Sequence, residues 1–427
     1  LCVVEGFISD DVEENLTSLN NWWKKPANRI SITDSGFTMS ARSMAMKLSM
    51  EKGPIRPPSE AGSLLLRVTR NCPWNRCAFC HTYTGKKFQF RSVDEIKDDI
   101  RTARGIADRI EALCGREETA GQITQAVVDE ICAEGKYAGD GILSVAWWLH
   151  HGGESVFLQD SDSLTMKTGD LVEVLFFLRE NFPSVKWVTS YCRSRTAAGK
   201  TSDEMKRLRD AGLTRLHVGM ESGCDRVLEF MRKGVSAADH VAGGCRIKEA
   251  GISLCEYIMP GLGGRRWSGV HADETASVIN RINPDFVRLR SLYVARESAL
   301  FGMMENGLFE PLGDEETVRE IGRLIGALDG ITSRLVSDHV LNLLEELEGK
   351  LPEDKPRLLA IIERFFALSA EKRLVFRVGR RKGIYRRLDD LSDQETYMWL
   401  KSVVDYYAAT DPEQLERDLY EVMEGFI

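Results

Sequence analysis

The chain has 427 residues, of which 43% are hydrophobic and 29% charged, and its formal net charge is −8. That composition excludes a disordered or fibrous protein, and the acidic balance argues against broad nucleic-acid binding, although a local basic patch is hidden in any sum. The longest apolar runs, such as 171–178, carry charges and are too short to cross a bilayer, so no membrane partner is expected.

In chain order, residues 1–61 read as an extension and linker that ends in "KGPIRPPSEAG". The first residues lack a basic region and a long apolar stretch, so no secretory signal is expected and a cytoplasmic setting follows. From 62 onward strands and helices alternate. Strands are predicted at 63–68, 155–160, 185–191, 214–220, 252–259 and 285–294. Helices are predicted at 92–103, 168–182, 201–212, after Cys224, and at 269–282. Ser92 and Glu95 have the spacing of a capping box. This alternation predicts parallel βαβ units. Six strands are too few for a closed eight-fold barrel. The expected fold is α/β: a partial (β/α)6 TIM-like barrel over 62–296, with a helical insert at 104–150. A helical C-terminal region follows over 297–427, read from helical spacing in "DEETVREIGRLIGAL", "SRLVSDHVLNLLEELEGK", "DKPRLLAIIERFFAL" and "LSDQETYMWLKSVVDYYAA". The Trp pairs at 22–23 and 147–148 read as packing.

Of ten cysteines, only Cys72, Cys77 and Cys80 are tightly spaced, in "RNCPWNRCAFCHTY". They follow the first strand directly, at the end where such sheets bind ligands. Cys77-Ala-Phe-Cys80-His81 also has the form of a haem attachment sequence. Thiolates suit zinc or an iron–sulfur cluster. Structural zinc takes four protein ligands, and His81 is poorly placed to supply the fourth. A four-iron cubane normally takes four cysteines, so three would leave one iron open to another ligand.

A three-cysteine loop after the first strand of a partial barrel resembles the radical S-adenosylmethionine (radical SAM) superfamily. Its usual spacing is Cys-x3-Cys-x2-Cys. The Cys-x4-Cys-x2-Cys spacing here is similar to a poorly characterised subgroup. The resemblance implies a [4Fe–4S] cluster on Cys72, Cys77 and Cys80, with SAM on the fourth iron and Phe79 beside its adenine. It implies an amine-binding role after the second strand for Asp160, Ser161 and Asp162; capping of the next helix is the plainer alternative. "GGE" at 152–154 matches the superfamily's amine-binding triplet but precedes that strand, so it is set aside. "HVGMESG" (217–223) is similar to a segment of the oxygen-independent coproporphyrinogen oxidases and the methylthiotransferases. It implies Glu221 at the ribose or methionyl group and Lys233, beside Arg232, at the methionyl carboxylate; a solvated lysine is the alternative. Met259 and Gly261, in "YIMPGLGG", would then run near adenine, and Tyr191 and Arg193 would face the cofactor.

The implied reaction is reductive cleavage of SAM to a 5′-deoxyadenosyl radical, with flavodoxin or ferredoxin as electron donor and hydrogen abstraction from an unnamed substrate. No catalytic residue is assigned. Two other functions fit: an iron–sulfur and SAM-binding carrier in haem or cluster trafficking, and an RNA-modifying enzyme. The second would use "KRLVFRVGRRKGIYRR" (372–387), which holds eight basic residues and no acidic one. Pairing of that segment with its acidic surroundings is the favoured reading. Arg288 and Arg290 fall on one face of the sixth strand. They would bind an anionic substrate group or form structural salt bridges.

Overall fold

A computed structural model describes residues 47–116 and 121–425. Residues 1–46, including Trp22 and Trp23, lie outside the described residues.

The six expected strands are β1 (Leu64–Arg67), β4 (Ser155–Gln159), β5 (Trp187–Cys192), β6 (Arg215–Glu221), β7 (Ser253–Ile258) and β8 (Phe286–Leu289). A small antiparallel pair, β2 (Thr69–Arg70) and β3 (Gln89–Phe90), brackets the cysteine loop. Each large strand pairs in parallel with the next in the chain, so the sheet winds in one direction without reversal. Two more short strands continue it: β9 (Arg334–Val336), parallel to β8, and β10 (Gly349–Lys350), antiparallel to β9. The sheet is an open barrel wall of eight strands with β1 and β10 at its edges.

Residues 333–350 therefore correct the helical expectation. Their apolar spacing suits a helix, but their polar side chains bond to backbone elsewhere. Ser333 Oγ donates to Pro284 O, Ser337 Oγ to Leu344 O, and Asn342 Nδ2 to Leu289 O. Such bonds offer the backbone an alternative to the helix.

On the helical side, α1 (Val93–Cys114) carries the Ser92–Glu95 capping box and runs on into the insert, which adds α2 (Gln125–Ala133) and α3 (Gly139–His150). Trp148 is fully buried, edge-on to Phe182, as expected of a packing residue. Next come α4 (Thr168–Asn181), α5 (Ser194–Gly199), α6 (Ser202–Ala211), α7 (Asp225–Phe230), α8 (Ala237–Glu249) and α9 (Gly264–Ile282). The sequence reading missed α8 because two glycines interrupt it. They are there for contact: a Cβ on Gly243 would lie 2.4 Å from Ser194 O, and one on Gly244 2.7 Å from Ile282.

The outer face of the sheet is mostly aliphatic, with Ser190 and Glu256 as buried polar exceptions. Leu64, Leu66, Leu158, Val218, Leu254 and Val287 are buried in one core with the helices. Alternate residues face inward and are polar or aromatic, among them Arg67, Phe157, Tyr191, His217, Tyr257 and Arg288. Residues 51–60, read from sequence as a linker, run along this inner face as a strap. Gly53 N–H bonds to Gln159 Oε1 (2.8 Å), Ser59 Oγ accepts from Arg288 (3.3 Å), and Glu60 lies 3.5 Å from His217.

Beyond β8 come α10 (Ala299–Glu305), α11 (Asp314–Ala327), α12 (Lys355–Ala367), α13 (Ala370–Arg381), α14 (Gln394–Thr410) and α15 (Pro412–Glu424). The basic segment lies in α13 and just after it, and five of its six arginines are paired. Arg373 meets Glu315 (2.9 Å), Arg377 meets Asp314 (3.0 Å) and Glu416 (3.0 Å), and Arg380 meets Glu345 (3.1 Å). Arg381 meets Asp314, and Arg386 meets Glu345 (3.1 Å). Among the described residues no helix is long and apolar enough to cross a membrane.

Candidate functional site

The cysteine loop begins where β2 ends, at the C-terminal end of the sheet. Asn71 and Asn75 adopt left-handed φ of 67° and 47°, a conformation asparagine tolerates well. Their carboxamides tie the loop across itself, to Lys87 O (2.8 Å) and Lys86 O (2.5 Å). Glu51 of the strap accepts from Arg70 (2.5 Å) and pairs with Arg67 (3.0 Å).

Asp160 is fully buried and committed to this loop. It accepts from Arg67 through Nε (3.0 Å) and Nη2 (2.5 Å), from Asn71 N–H (2.8 Å) and from the Tyr83 hydroxyl (3.1 Å). Asp162 is also fully buried and accepts from Thr196 Oγ1 (2.6 Å). Burial raises its carboxyl to about 6, against the Thr196 bond and the charge of Arg193. Within the expected amine-binding triplet the side chains divide. Two of its three side chains turn inward as braces, and half-buried Ser161, whose hydroxyl donates to Asn71 O (3.2 Å), is the most accessible. Neither acidic side chain caps the following turn.

Trp74 lies in the first cysteine gap. Its indole N–H donates to Arg232 O (2.7 Å), and its ring lies on Gly234, where a Cβ would fall 2.1 Å from the ring. Gly234 has φ 67°, so glycine is required there on two grounds. Arg193 lies 5.1 Å over the same ring and donates to Lys233 O (2.6 Å). Ala78 N–H bonds to Met231 O (2.9 Å), and Leu300 N–H to Ala78 O (2.8 Å). The loop is thereby docked on the segment after α7 and on the start of α10.

That docking brings Lys233 to the thiols. Its ammonium meets Glu221 (3.1 Å) and lies 5.6 Å over the Phe79 ring. Burial opposes the charge, but Glu221 and Cys77 outweigh it and hold the lysine's pKa above its ordinary value. The pair fits because Gly219 has no side chain: a Cβ there would lie 2.5 Å from Glu221 Oε1. Glu221 itself has φ 65°, at an irregularity in the β6–β7 pairing. Lys233 is thus neither solvated nor a surface residue.

Met259 is buried in a small cluster with Ala78, Cys224 and Met231, and Gly261 has φ 89°. His271, to which sequence reasoning assigned no role, joins these two segments. It bonds Ser222 Oγ (2.9 Å) through Nδ1 and Met259 O (3.2 Å) through Nε2. Glu320 accepts from Gly261 N–H (2.6 Å), and burial raises its carboxyl to about 7. No sequence pattern marks either residue. Tyr191 lies deeper, on the inner face, edge-on to Phe157.

Cys72, Cys77 and Cys80 are free, half-buried thiols. Burial pushes Cys77 up to about 11, with Cys80 and Cys72 adding to the rise and Lys233 and Arg193 opposing it. Burial also raises Cys80. Among the described residues no three His, Cys, Asp or Glu side chains converge on a single ion position. A cubane does not need such convergence, because each thiolate binds a different iron. Three neighbouring thiols on one anchored loop, with two cations behind them, fit a thiolate-bound cluster, since positive charge favours the thiolate form.

Residues 66–272 match the Radical SAM superfamily. Two curated relatives are tRNA uridine(34) acetyltransferases. The Methanocaldococcus jannaschii protein is 22% identical over 291 residues, 64% of this chain and 50% of that protein. The Methanocaldococcus infernus protein is 26% identical over 122 residues, 28% of this chain and 22% of that one. The chain thus spans half or less of the length of these relatives. Among solved structures, the cobalamin-dependent S-adenosylmethionine radical enzyme OxsB aligns over 86% of this chain and 59% of its own, at 10% identity and a TM-score of 0.40.

Proposed function

The chain carries a radical SAM superfamily domain, and on that premise we propose that Cys72, Cys77 and Cys80 hold its [4Fe–4S] cluster and that the barrel mouth holds SAM for hydrogen abstraction from a substrate. When bound, the cluster and SAM supply a 5′-deoxyadenosyl radical by one-electron cleavage of the sulfonium. The chain's own residues anchor and orient. Lys233 offers the methionyl carboxylate a point charge, held in place by Glu221. Phe79 offers a face for adenine, the Ser161 hydroxyl an acceptor for the amine, and the backbone around Met259 and Gly261 a close approach. Asp160, Arg193, Trp74 and Tyr191 act by positioning the loop or lining the space below it. A flavodoxin or ferredoxin is the proposed electron donor. We assign residues 62–296 to the barrel and 297–427 to a further region, with β9 and β10 joined to the barrel sheet.

The observation that carries this reading is the docking of the three-thiol loop on the Lys233–Glu221 pair through Ala78 N–H and Trp74. Lys233→Ala should raise the Kd for SAM at least tenfold, about one charge-assisted hydrogen bond, with iron content unchanged. Equal SAM affinity in that variant would remove Lys233 from the site.

An RNA substrate is the second reading, favoured by the similarity to the two tRNA-modifying enzymes. The segment 372–387 gives it little support, because five of its six arginines are paired within the fold. Salt-dependent binding of tRNA would favour it.

A further inference from the structure

The inner face of the sheet holds a polar group that the cofactor reading leaves unused. Arg288 stands opposite Tyr257 in the β7–β8 ladder. The N–H of Arg290 bonds to Ile258 O (2.9 Å), so the ladder continues past β8. Residues two apart on a strand share a face. Both arginines therefore stand with Tyr191, His217 and Tyr257, whose rings lie 6.0–6.4 Å apart. Arg56, on the strap, is within electrostatic reach of Tyr191, and so is Arg290.

The charges here do not balance among themselves. His217 has Glu60 at 3.5 Å, and Arg288 has Asp338 at 3.5 Å. Arg56 and Arg290, both half-buried, form no ion pair among the described residues. Arg56 makes one long bond, to Pro57 O at 3.5 Å. Tyr257 Oη and Arg288 Nε are buried; the two side chains lie within electrostatic reach of each other, but neither atom has a partner at hydrogen-bond geometry. Each of these four groups is a donor. Donors of this kind, out of bulk water, are satisfied best by an acceptor carrying negative charge.

We propose that the inner face binds an anionic oxygen group of the substrate, a phosphate or a carboxylate, between Arg290 and Arg56, with Arg288 Nε and Tyr257 Oη as further donors. Calling that molecule the substrate rests on the radical SAM reading; the binding of the anion does not.

The test uses the full chain, loaded anaerobically with its cluster and saturated with SAM. Inorganic phosphate and malonate are titrated separately by calorimetry at constant ionic strength. One of them should bind with a Kd of about 10 mM or tighter, and which one binds distinguishes phosphate from carboxylate. Arg290→Gln and Arg56→Gln should each weaken it at least tenfold, and Arg290→Lys should recover part of the loss, having charge without the bidentate fork. Arg56→Gln, on the strap, carries the test if Arg290→Gln does not fold. Failure of both anions to bind, or unchanged affinity in the glutamine variants, overturns the proposal. An equal loss of SAM affinity in Arg290→Gln also overturns it, because the arginine then serves the cofactor. Anion binding by a protein that never cleaves SAM would support the site while refuting the radical SAM reading.

Discussion

Replacing Gly234 with alanine tests how the lengthened cysteine gap is anchored. The new Cβ would lie 2.1–2.5 Å from three atoms of the Trp74 ring, which is rigid and must retreat by more than 1 Å to reach ordinary contact. Retreat breaks the 2.7 Å bond to Arg232 O and the stacking of Arg193. The left-handed backbone costs alanine about 1–2 kcal/mol. The lost hydrogen bond costs about 0.5–1.5 kcal/mol and the lost cation–π contact about 0.5–1 kcal/mol. The loop then opens about 2–4.5 kcal/mol more easily, and iron should pass to a chelator at least tenfold faster. Gly251→Ala is the control: its φ is 76° and nothing lies within 4 Å, so it shares the backbone cost without the clash. Anaerobic iron release is followed by chelator absorbance. Iron loss no faster from Gly234→Ala than from Gly251→Ala would refute the anchoring role of Trp74.

Glu320 gives a pH signature. Burial holds its carboxyl at about 7, above its unfolded value, so its contribution is full in acid and is lost as pH rises through 7. The loss is on the order of 3 kcal/mol, and Glu320→Gln should remove it; parallel stability profiles of variant and parent from pH 5 to 8.5 would contradict this. Asp314 has the opposite sign. Although burial raises it, Arg381 and Arg377 hold it below the usual carboxylate range, so its contribution is present at neutral pH and lost in acid. Asp314→Asn leaves two arginines short of a buried partner and should destabilise by about 3–5 kcal/mol in urea melts; a change under about 1 kcal/mol would show that Glu416 and the backbone suffice.

The six barrel strands were legible because each is a short β-branched or aliphatic run between turn residues, and the Ser92 cap because its partner sits three residues on. The helix α8 was not legible, since interior glycines lower helix propensity and only the packed structure shows why they are needed. Residues 333–350 were misread because side-chain bonds to distant backbone override local spacing. At the site, motif order singled out the three thiols, Glu221 and Lys233, but not that the last two pair with each other. Asp160 was not, because its partners Arg67, Asn71 and Tyr83 lie more than 70 residues upstream. The strap was hidden by its own composition: proline and glycine mark turns, and nothing local says that Gly53 and Glu60 lie against the sheet.

The central claim is tested most directly by SAM cleavage in the anaerobically reconstituted chain. Protein with about four irons should release 5′-deoxyadenosine and methionine when a low-potential reductant is added, and none without it. Cys72→Ala, Cys77→Ala and Cys80→Ala should each abolish the product. Reductant-dependent 5′-deoxyadenosine from the Cys77→Ala protein, or none from wild type with its full iron content, would contradict the account.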